Sequence, residues 1–287
     1  MLRQILVPYD GSELSERALS PAEILARAQG AELMLVRVLE PPVWIGDEPQ
    51  GYLSPELYQE LVDALTAEAK QSLESLGAAL SRRDLQAKWT ILEGTPAAGL
   101  LDYEHKSQPD LVVMATHGRS GLARFALGSV ADRLVREGIA PVLLVRSFTA
   151  AVGNMDSALV PLDGSSVAES ALPVVEMLAG KPLRTVRLLR AVSGSDTKEG
   201  ADEYLRDIAE RLRVVGLETT VEVPTEEPAR AIEEGAKGVD VVILATHGRG
   251  GLERLRHGSV AEEVAHHLDV PVLLVRAGWP AERFQDV

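Results

Sequence analysis

Ala115-Thr116-His117-Gly118-Arg119, then Gly128-Ser129-Val130-Ala131, then Pro141-Val142-Leu143-Leu144-Val145-Arg146 recur downstream. The second set is Ala245-Thr246-His247-Gly248-Arg249, Gly258-Ser259-Val260-Ala261 and Pro271-Val272-Leu273-Leu274-Val275-Arg276. Laid side by side without a gap, 18 of the 32 positions from Ala115 to Arg146 are identical. The likeness reaches upstream, where Leu6-Val7-Pro8-Tyr9-Asp10-Gly11-Ser12 matches Leu159-Val160-Pro161-Leu162-Asp163-Gly164-Ser165. A repeat this long is a domain, not the roughly 20 to 50 residue unit of a solenoid. The chain of 287 residues therefore reads as two tandem copies of one globular domain, residues 1–147 and 155–279, joined around Ser147 to Ser157.

Within each copy, short apolar runs alternate with longer amphipathic stretches, the order of strand-helix units in a parallel sheet. In copy one the strands fall at about 3–8, 32–39, 86–92, 110–115 and 141–146, with helices at about 13–29, 56–82, 96–107 and 129–138. Ser12 suits the cap of the first helix and Gly30 its end, Pro96 suits a first helical turn, and Gly138 ends the last helix. Copy two repeats the strands near 157–162, 184–191, 218–223, 239–245 and 271–276. The fold class is α/β, with each copy an open five-stranded parallel sheet covered by helices on both faces and carrying its own apolar core. Copy one alone has a proline- and glycine-rich excursion from Pro41 to Leu61, with Trp44 and Tyr52, which reads as a lid or contact surface or as a tolerated insertion.

Charge and composition narrow the function. With 43 acidic against 29 basic residues the formal charge is -14, the wrong sign for a general partner of nucleic acid or of anionic membranes. No cysteine is present, which removes thiol nucleophiles, thiolate metal sites and disulfides, and a cytoplasmic home fits that usage. The N-terminal apolar run is too short for a secretory signal and no stretch approaches the roughly 18 apolar residues of a membrane span.

Open parallel sheets bind ligands beyond the carboxyl ends of their strands, where the strand order reverses. Asp10 and Asp163 follow the first strand of each copy, and Gly118 with Gly128-Ser129-Val130, or Gly248 with Gly258-Ser259-Val260, follow the fourth. Glycines let backbone N–H groups approach a phosphate, and a helix N-terminus adds partial positive charge. Ser129, with Asp132 three residues on, also fits a capping arrangement, as does Ser259 with Glu262. Asp10 fits a ribose hydroxyl, a magnesium-bridged phosphate, or simply an Asp-Gly-Ser turn.

On these residues the chain resembles the universal stress protein family in its tandem two-domain form, over nearly its whole length. Nucleotide-binding members carry Gly-x2-Gly-x9-Gly-Ser/Thr, and this chain has Ala115-x2-Gly118-x9-Gly128-Ser129 and Ala245-x2-Gly248-x9-Gly258-Ser259, with alanine for the first glycine in both copies. The resemblance implies an adenine nucleotide alpha hydrolase-like, Rossmann-like fold, and ATP, ADP or AMP, with or without Mg2+, as ligand. It implies Asp10 for ribose or phosphate, Val38 for backbone recognition of adenine, and Gly118, Gly128, Ser129 and Val130 for ribose and phosphates. The matching set in copy two is Asp163, Ala191, Gly248, Gly258, Ser259 and Val260. Gly94-Thr95-Pro96, the family's entry to its third helix, becomes Glu226-Glu227-Pro228 in copy two, which adds negative charge near an anion site, so that copy one is the expected site if only one is filled. The resemblance further implies antiparallel pairing of the last strands, Pro141 to Val145 with Pro271 to Val275, giving an intramolecular pseudo-dimer, with homodimers of the chain as a further expectation. The apolar pattern of those strands fits buried central strands equally well.

Catalysis has little to stand on. His117 and His247 have no carboxylate at a telling spacing, and His266-His267 are adjacent on a helix and point about 100° apart. The phosphate loop of P-loop ATPases, the serine nucleophile elbow and the zinc-protease histidine pair are all missing from the sequence. The expectation is a nucleotide-dependent sensor or regulator of the stress response without strong catalysis. Its alternatives are an interaction module with vestigial pockets, or a hydrolase or nucleotidyl-transferring enzyme working in the same pocket.

Overall fold

The computed structural model describes residues 1–40, 54–116, 128–146, 152–192, 197–246 and 260–279. Copy one comprises β1 (Gln4–Pro8), α1 (Glu13–Arg17), α2 (Leu19–Gln29), β2 (Glu32–Leu39), α3 (Pro55–Ser81), β3 (Ala87–Glu93), α4 (Pro96–Ser107), β4 (Leu111–Ala115), α5 (Ser129–Glu137) and β5 (Val142–Val145). Copy two repeats the order as β6 (Ser157–Pro161), α6 (Ser166–Glu169), α7 (Leu172–Leu178), β7 (Thr185–Leu189), α8 (Lys198–Val214), β8 (Glu218–Glu222), α9 (Pro228–Gly235), β9 (Val241–Thr246), α10 (Val260–His267) and β10 (Val272–Arg276). Every expected strand is present within about two residues of its expected bounds. The Pro41 to Leu61 excursion lies outside the described residues as far as residue 53; from Pro55 it is the first turns of α3, capped by the Ser54 side chain on Leu57 N–H at 3.2 Å.

The ten strands form one sheet in the order β3-β2-β1-β4-β5-β10-β9-β6-β7-β8. Within each copy the pairs are parallel, and the two halves meet through β5 and β10, which run antiparallel with Leu143 opposite Leu273. Leu143 and Leu273 are counterparts in the repeat, so this is an isologous two-fold contact folded into one chain. Both sequence readings of the last strands hold together: each would be an edge in its own copy, and pairing makes both central and removes two apolar edges. Arginines at the ends of these strands clasp the seam reciprocally. Arg146 donates to the Ala265 carbonyl in α10 at 3.2 Å, and Arg276 donates to the Gly138 carbonyl after α5 at 3.1 Å. Each places a cation at the carboxyl end of the other copy's helix, where the helix dipole favours it.

Two details depart from the expectation. The first helix is broken at Ala18, whose N–H bonds back to Ser15 in a tighter turn. Pro21 has no N–H to offer the Arg17 carbonyl, so the chain restarts as α2 with proline in its first turn, the tolerated position. Copy two breaks in the same place, at Ser170-Ala171, ahead of Pro173. The core is also not divided by copy. One cluster lies on the sheet face covered by α2, α3, α7 and α8, and it joins Ile5, Leu33 and Leu143 of copy one to Val160 and Leu188 of copy two. The other lies under α4, α5, α9 and α10, joining Leu6, Val112 and Leu144 to Leu159, Val242 and Leu274. The cores belong to the faces of a continuous sheet. A third junction, Gln29 at the end of α2, accepts Leu2 N–H and donates to the Met177 carbonyl of copy two at 3.1 Å and to that of Lys181.

Candidate functional site

In copy one the strand order 3-2-1-4-5 reverses direction of growth between β1 and β4, so the crevice lies beyond the carboxyl ends of β1, β2 and β4. Asp10 stands two residues past β1. Its Oδ1 accepts the Ser12 N–H at 2.9 Å and the Ser12 hydroxyl at 2.5 Å, while Ser12 Oγ in turn caps Ser15 N–H. Gly11, between them, has φ +78°, a left-handed conformation that favours glycine. Val38, at the end of β2, and Val130, in the first turn of α5, are half-buried and rest on the same apolar cluster under α4 and α5. Space beside Val38 is tight: a Cβ on Gly99 of α4 would lie 3.3 Å from it.

The segment between β4 and α5 is tied at its base. Thr116, just past β4, is buried, and its carbonyl accepts the Gly128 N–H at 2.7 Å. Gly128 is the N-cap of α5 and has no side chain with which to cap it, so the helix opens toward the crevice with backbone N–H groups. Ser129 is the first helical residue and is exposed, and Asp132 pairs with Arg136 at 2.7 Å. The capping-box reading of Ser129 and Asp132 is therefore not the arrangement adopted. Gly118, His117, and in copy two Gly248, His247, Gly258 and Ser259, lie outside the described residues.

Copy two places its counterparts alike. Asp163 follows β6 and accepts Ser165 N–H at 2.8 Å, Gly164 has φ +85°, and Ala191 and Val260 pack on the same face cluster. The charge added by Glu226 and Glu227 is partly consumed locally. Glu227 is the N-cap of α9, its carboxylate accepting Arg230 N–H at 3.2 Å, and Glu226 lies 3.7 Å from the Arg230 guanidinium.

Arg37 and Arg190, which the sequence reading passes over, stand at the same place in the two copies. Each interrupts an apolar strand end, Leu35-Val36-Arg37-Val38 and Leu188-Leu189-Arg190-Ala191, and that shared interruption was the available signal. Each guanidinium lies against the glycine of the Asp-Gly-Ser turn.

At the opposite, amino-terminal ends of the strands, Asp110 accepts Arg3 and Gln4 N–H groups, and Asp240 accepts those of Asp156 and Ser157. These repeated carboxylates tie strand starts and are structural. Burial alone would raise Asp240, but hydrogen bonds from Ser157 and Asp156 outweigh it and hold the carboxyl below the ordinary aspartate range. A groove of about 700 Å³ between α2, α3 and the copy-two residue Pro182 is lined by Leu19, Ile24 and Leu76 and lacks the glycine turns, so it is no part of the crevice. His267 is exposed and its Nδ1 contacts the Glu263 carbonyl, and no metal-type cluster occurs among the described residues. Nor is any helix among them long and apolar enough to cross a membrane.

The architecture defines a class: a two-copy α/β protein with one switch-point crevice per copy, each flanked by an Asp-Gly-Ser turn. A family model for the universal stress protein family matches residues 1–146 and again 155–276. The chain belongs to the universal stress protein family, which places it among stress-response proteins. It is similar to universal stress protein Rv2005c of Mycobacterium tuberculosis, with 29% identity over 95% of this chain and 96% of the relative. Universal stress protein MJ0531 of Methanocaldococcus jannaschii is 32% identical over 51% of this chain and 83% of its own length. In fold, the chain is similar to the crystal structure of a universal stress protein from Archaeoglobus fulgidus, with a TM-score of 0.76 at 20% identity over 96% of this chain and 98% of that one. A family structure from Arabidopsis thaliana with AMP bound covers 50% of this chain and 91% of its own at 17% identity and a TM-score of 0.37, too low for its contacts to be carried across.

Proposed function

We propose that the chain is an adenine-nucleotide sensor of the stress response, binding ATP, ADP or AMP, with or without Mg2+, in the crevice of each copy and signalling occupancy without strong catalysis. The observation that carries this reading is the Thr116–Gly128 hydrogen bond, which sets an uncapped glycine and the N–H groups of α5 at the switch point beside the Asp10 turn. Such an arrangement attracts a phosphate, and Val38 and Val130 offer the apolar floor that an adenosine needs.

In this reading Asp10 takes the ribose, Val38 the adenine edge, and Gly118, Gly128, Ser129 and Val130 the phosphates. Asp163, Ala191, Gly248, Gly258, Ser259 and Val260 do the same in copy two. The described residues fit such a ligand: Gly128 and the N–H groups that open α5 suit a phosphate, and the acidic groups introduced in copy two are engaged with Arg230. When bound, the nucleotide supplies the charge that the helix N-terminus meets; the chain's own part is to orient it. The functional units are residues 1–147 and 155–279, acting in the cytoplasm, with the net charge directing binding away from nucleic acid and membranes and leaving protein partners, among them a second copy of the chain, as the readers of occupancy.

Calorimetric titration of nucleotide-free protein with magnesium ATP tests this reading. Two sites per chain support both crevices, and one site makes the copies unequal. The absence of both heat and thermal shift at millimolar ATP would reject nucleotide binding in favour of an interaction module.

A further inference from the structure

We propose that Arg37 is a positioning residue for the nucleotide site of copy one, and Arg190 its counterpart in copy two, each acting through the Asp-Gly-Ser turn on the ribose-binding aspartate. This inference rests on the nucleotide reading above and adds residues that the glycine motifs do not contain. Among the described residues three charged side chains are buried: Glu104, Arg146 and Arg37. Arg146 and Glu104 serve the contacts of helix ends near the seam between the copies, whereas Arg37 alone of the three lies against an Asp-Gly-Ser turn. It is 4% exposed, and its guanidinium plane is set by Glu68 of α3, with bonds of 3.2 and 2.7 Å.

The contact that recurs is the one on the turn. A Cβ on Gly11 would lie 3.3 Å from Arg37 Nη1, and a Cβ on Gly164 would lie 2.9 Å from Arg190 Nη1. Each guanidinium has an outer contact as well. Arg37 is held by a carboxylate, whereas Arg190 stacks over the Tyr204 ring at 5.2 Å, and the Tyr204 hydroxyl donates to Glu169 at 3.0 Å. Both guanidiniums lie against the same glycine of the repeat, so the feature the two copies share is the support of the turn. Stability of the strand is a poor alternative reason. A buried guanidinium costs desolvation that a leucine would avoid, and Glu68, at 58% exposure, gives back little through a screened pair. What the guanidinium does do is limit movement of Gly11, and through it the Asp10 carboxylate that Ser12 anchors.

The test is titration of the full chain and of Arg37→Met, Arg37→Lys and Arg190→Met with magnesium ATP and with its 2′,3′-dideoxy analogue. The expected result is that Arg37→Met and Arg190→Met each weaken one site about tenfold for ATP and leave the other unchanged. Arg37→Lys, which keeps the charge but not the plane, gives back only part of that affinity. With the dideoxy analogue the wild-type chain has already lost the ribose contact, so the arginine variants bind it within about twofold of wild type. Equal proportional losses for both ligands, or no loss for either, overturn the inference and leave Arg37 a packing residue. A wild-type chain that binds neither ligand overturns the nucleotide reading and this inference with it, a different outcome from a binding wild type with indifferent variants. Should Arg37→Met fail to fold, Glu68→Gln leaves the guanidinium in place but loosens it, and the expected loss is smaller, roughly threefold, and again confined to ATP; a Glu68→Gln chain with no such loss overturns the inference.

Discussion

The two copies of this chain keep the same sheet and differ at the rims of their crevices. In copy one Asp10 is half-buried and bound by both the N–H and the hydroxyl of Ser12; in copy two Asp163 is exposed and accepts the Ser165 N–H. Val38 of copy one packs against Gly99, while copy two has exchanged the pair for Ala191 and Ala231, smaller on the strand and larger on the helix. At the start of the helix after the third strand, Thr95 makes no side-chain cap, whereas Glu227 sets a carboxylate on that N-terminus. Duplication has thus held the framework constant and varied the groups facing the crevice. Such a pair allows each crevice to serve as the internal control for the other.

The largest expected effect comes from placing a charge where the phosphates would sit. Gly118→Asp is expected to weaken the copy-one site on the order of 100-fold or more, through repulsion between its carboxylate and the phosphates. Gly248→Asp does the same to copy two and spares copy one. Calorimetry on the two single variants should show one surviving site each; two surviving sites in both would remove the phosphate loops from the assignment.

How much of this was legible beforehand follows from the range of the interactions. Apolar runs such as Leu111 to Ala115 and the Asp-Gly-Ser turns are local signals, and strands and turns lie where those signals put them. The break at Ala18 was harder to see, because Pro21 in an amphipathic stretch is compatible with either a helix start or a kink. Gly128 and Ser129 are both acceptable N-caps, so only the backbone shows that Gly128 takes the role. Arg37 in a strand reads as an outward-facing residue until α3 and the β1–α1 turn close over it. The shared cores were hidden for a similar reason: whether two copies own one core or two depends on the β5–β10 pairing, which the apolar pattern leaves open. Glu104 is the extreme case. Its neighbours Asp102, His105 and Lys106 give it the look of a solvated helix face, yet it is fully buried by contact with residues 35 and 36 positions away.

That glutamate sharpens the comparison, since Ala236 holds the corresponding place, eight residues after the proline that opens each helix. Glu104 Oε1 accepts the Ile139 and Ala140 N–H groups at 2.9 and 2.8 Å, and Oε2 is buried without a hydrogen-bond partner. Burial pushes the carboxyl above the usual glutamate range, against the pull of those N–H bonds, of His105 and of Arg276. A carboxyl with a raised native pKa stabilises the fold while protonated, and that contribution is lost as pH rises from the unfolded value through the native one. Glu104→Gln keeps the acceptor and removes the ionisation, so its stability relative to wild type should increase as pH rises from the ordinary glutamate range through the raised native value. The gain should appear as a rise in melting temperature relative to wild type that grows with pH across that range. A difference independent of pH would show that Glu104 does not titrate differently in the folded chain. Because the cores run through both copies, the melt itself should be one transition, not two.

The smallest effect tests whether the acidic rim makes copy two the weaker binder. Glu227→Thr, which installs the copy-one residue, removes a carboxylate from the N-terminus of α9 and returns that partial charge to the crevice. The gain is limited because Glu227 is exposed and therefore screened, and because Glu226 stays beside Arg230. Tightening of the copy-two site by about two- to fivefold is expected, with copy one unchanged and stability lowered by about 1 kcal/mol or less through loss of the Glu227 cap. Titration at low and high salt gives the decisive reading. A gain that disappears with added salt is the electrostatic one argued here, whereas a gain that persists would place the inequality of the copies in the Val38–Gly99 and Ala191–Ala231 exchange, where shape rather than charge sets the fit.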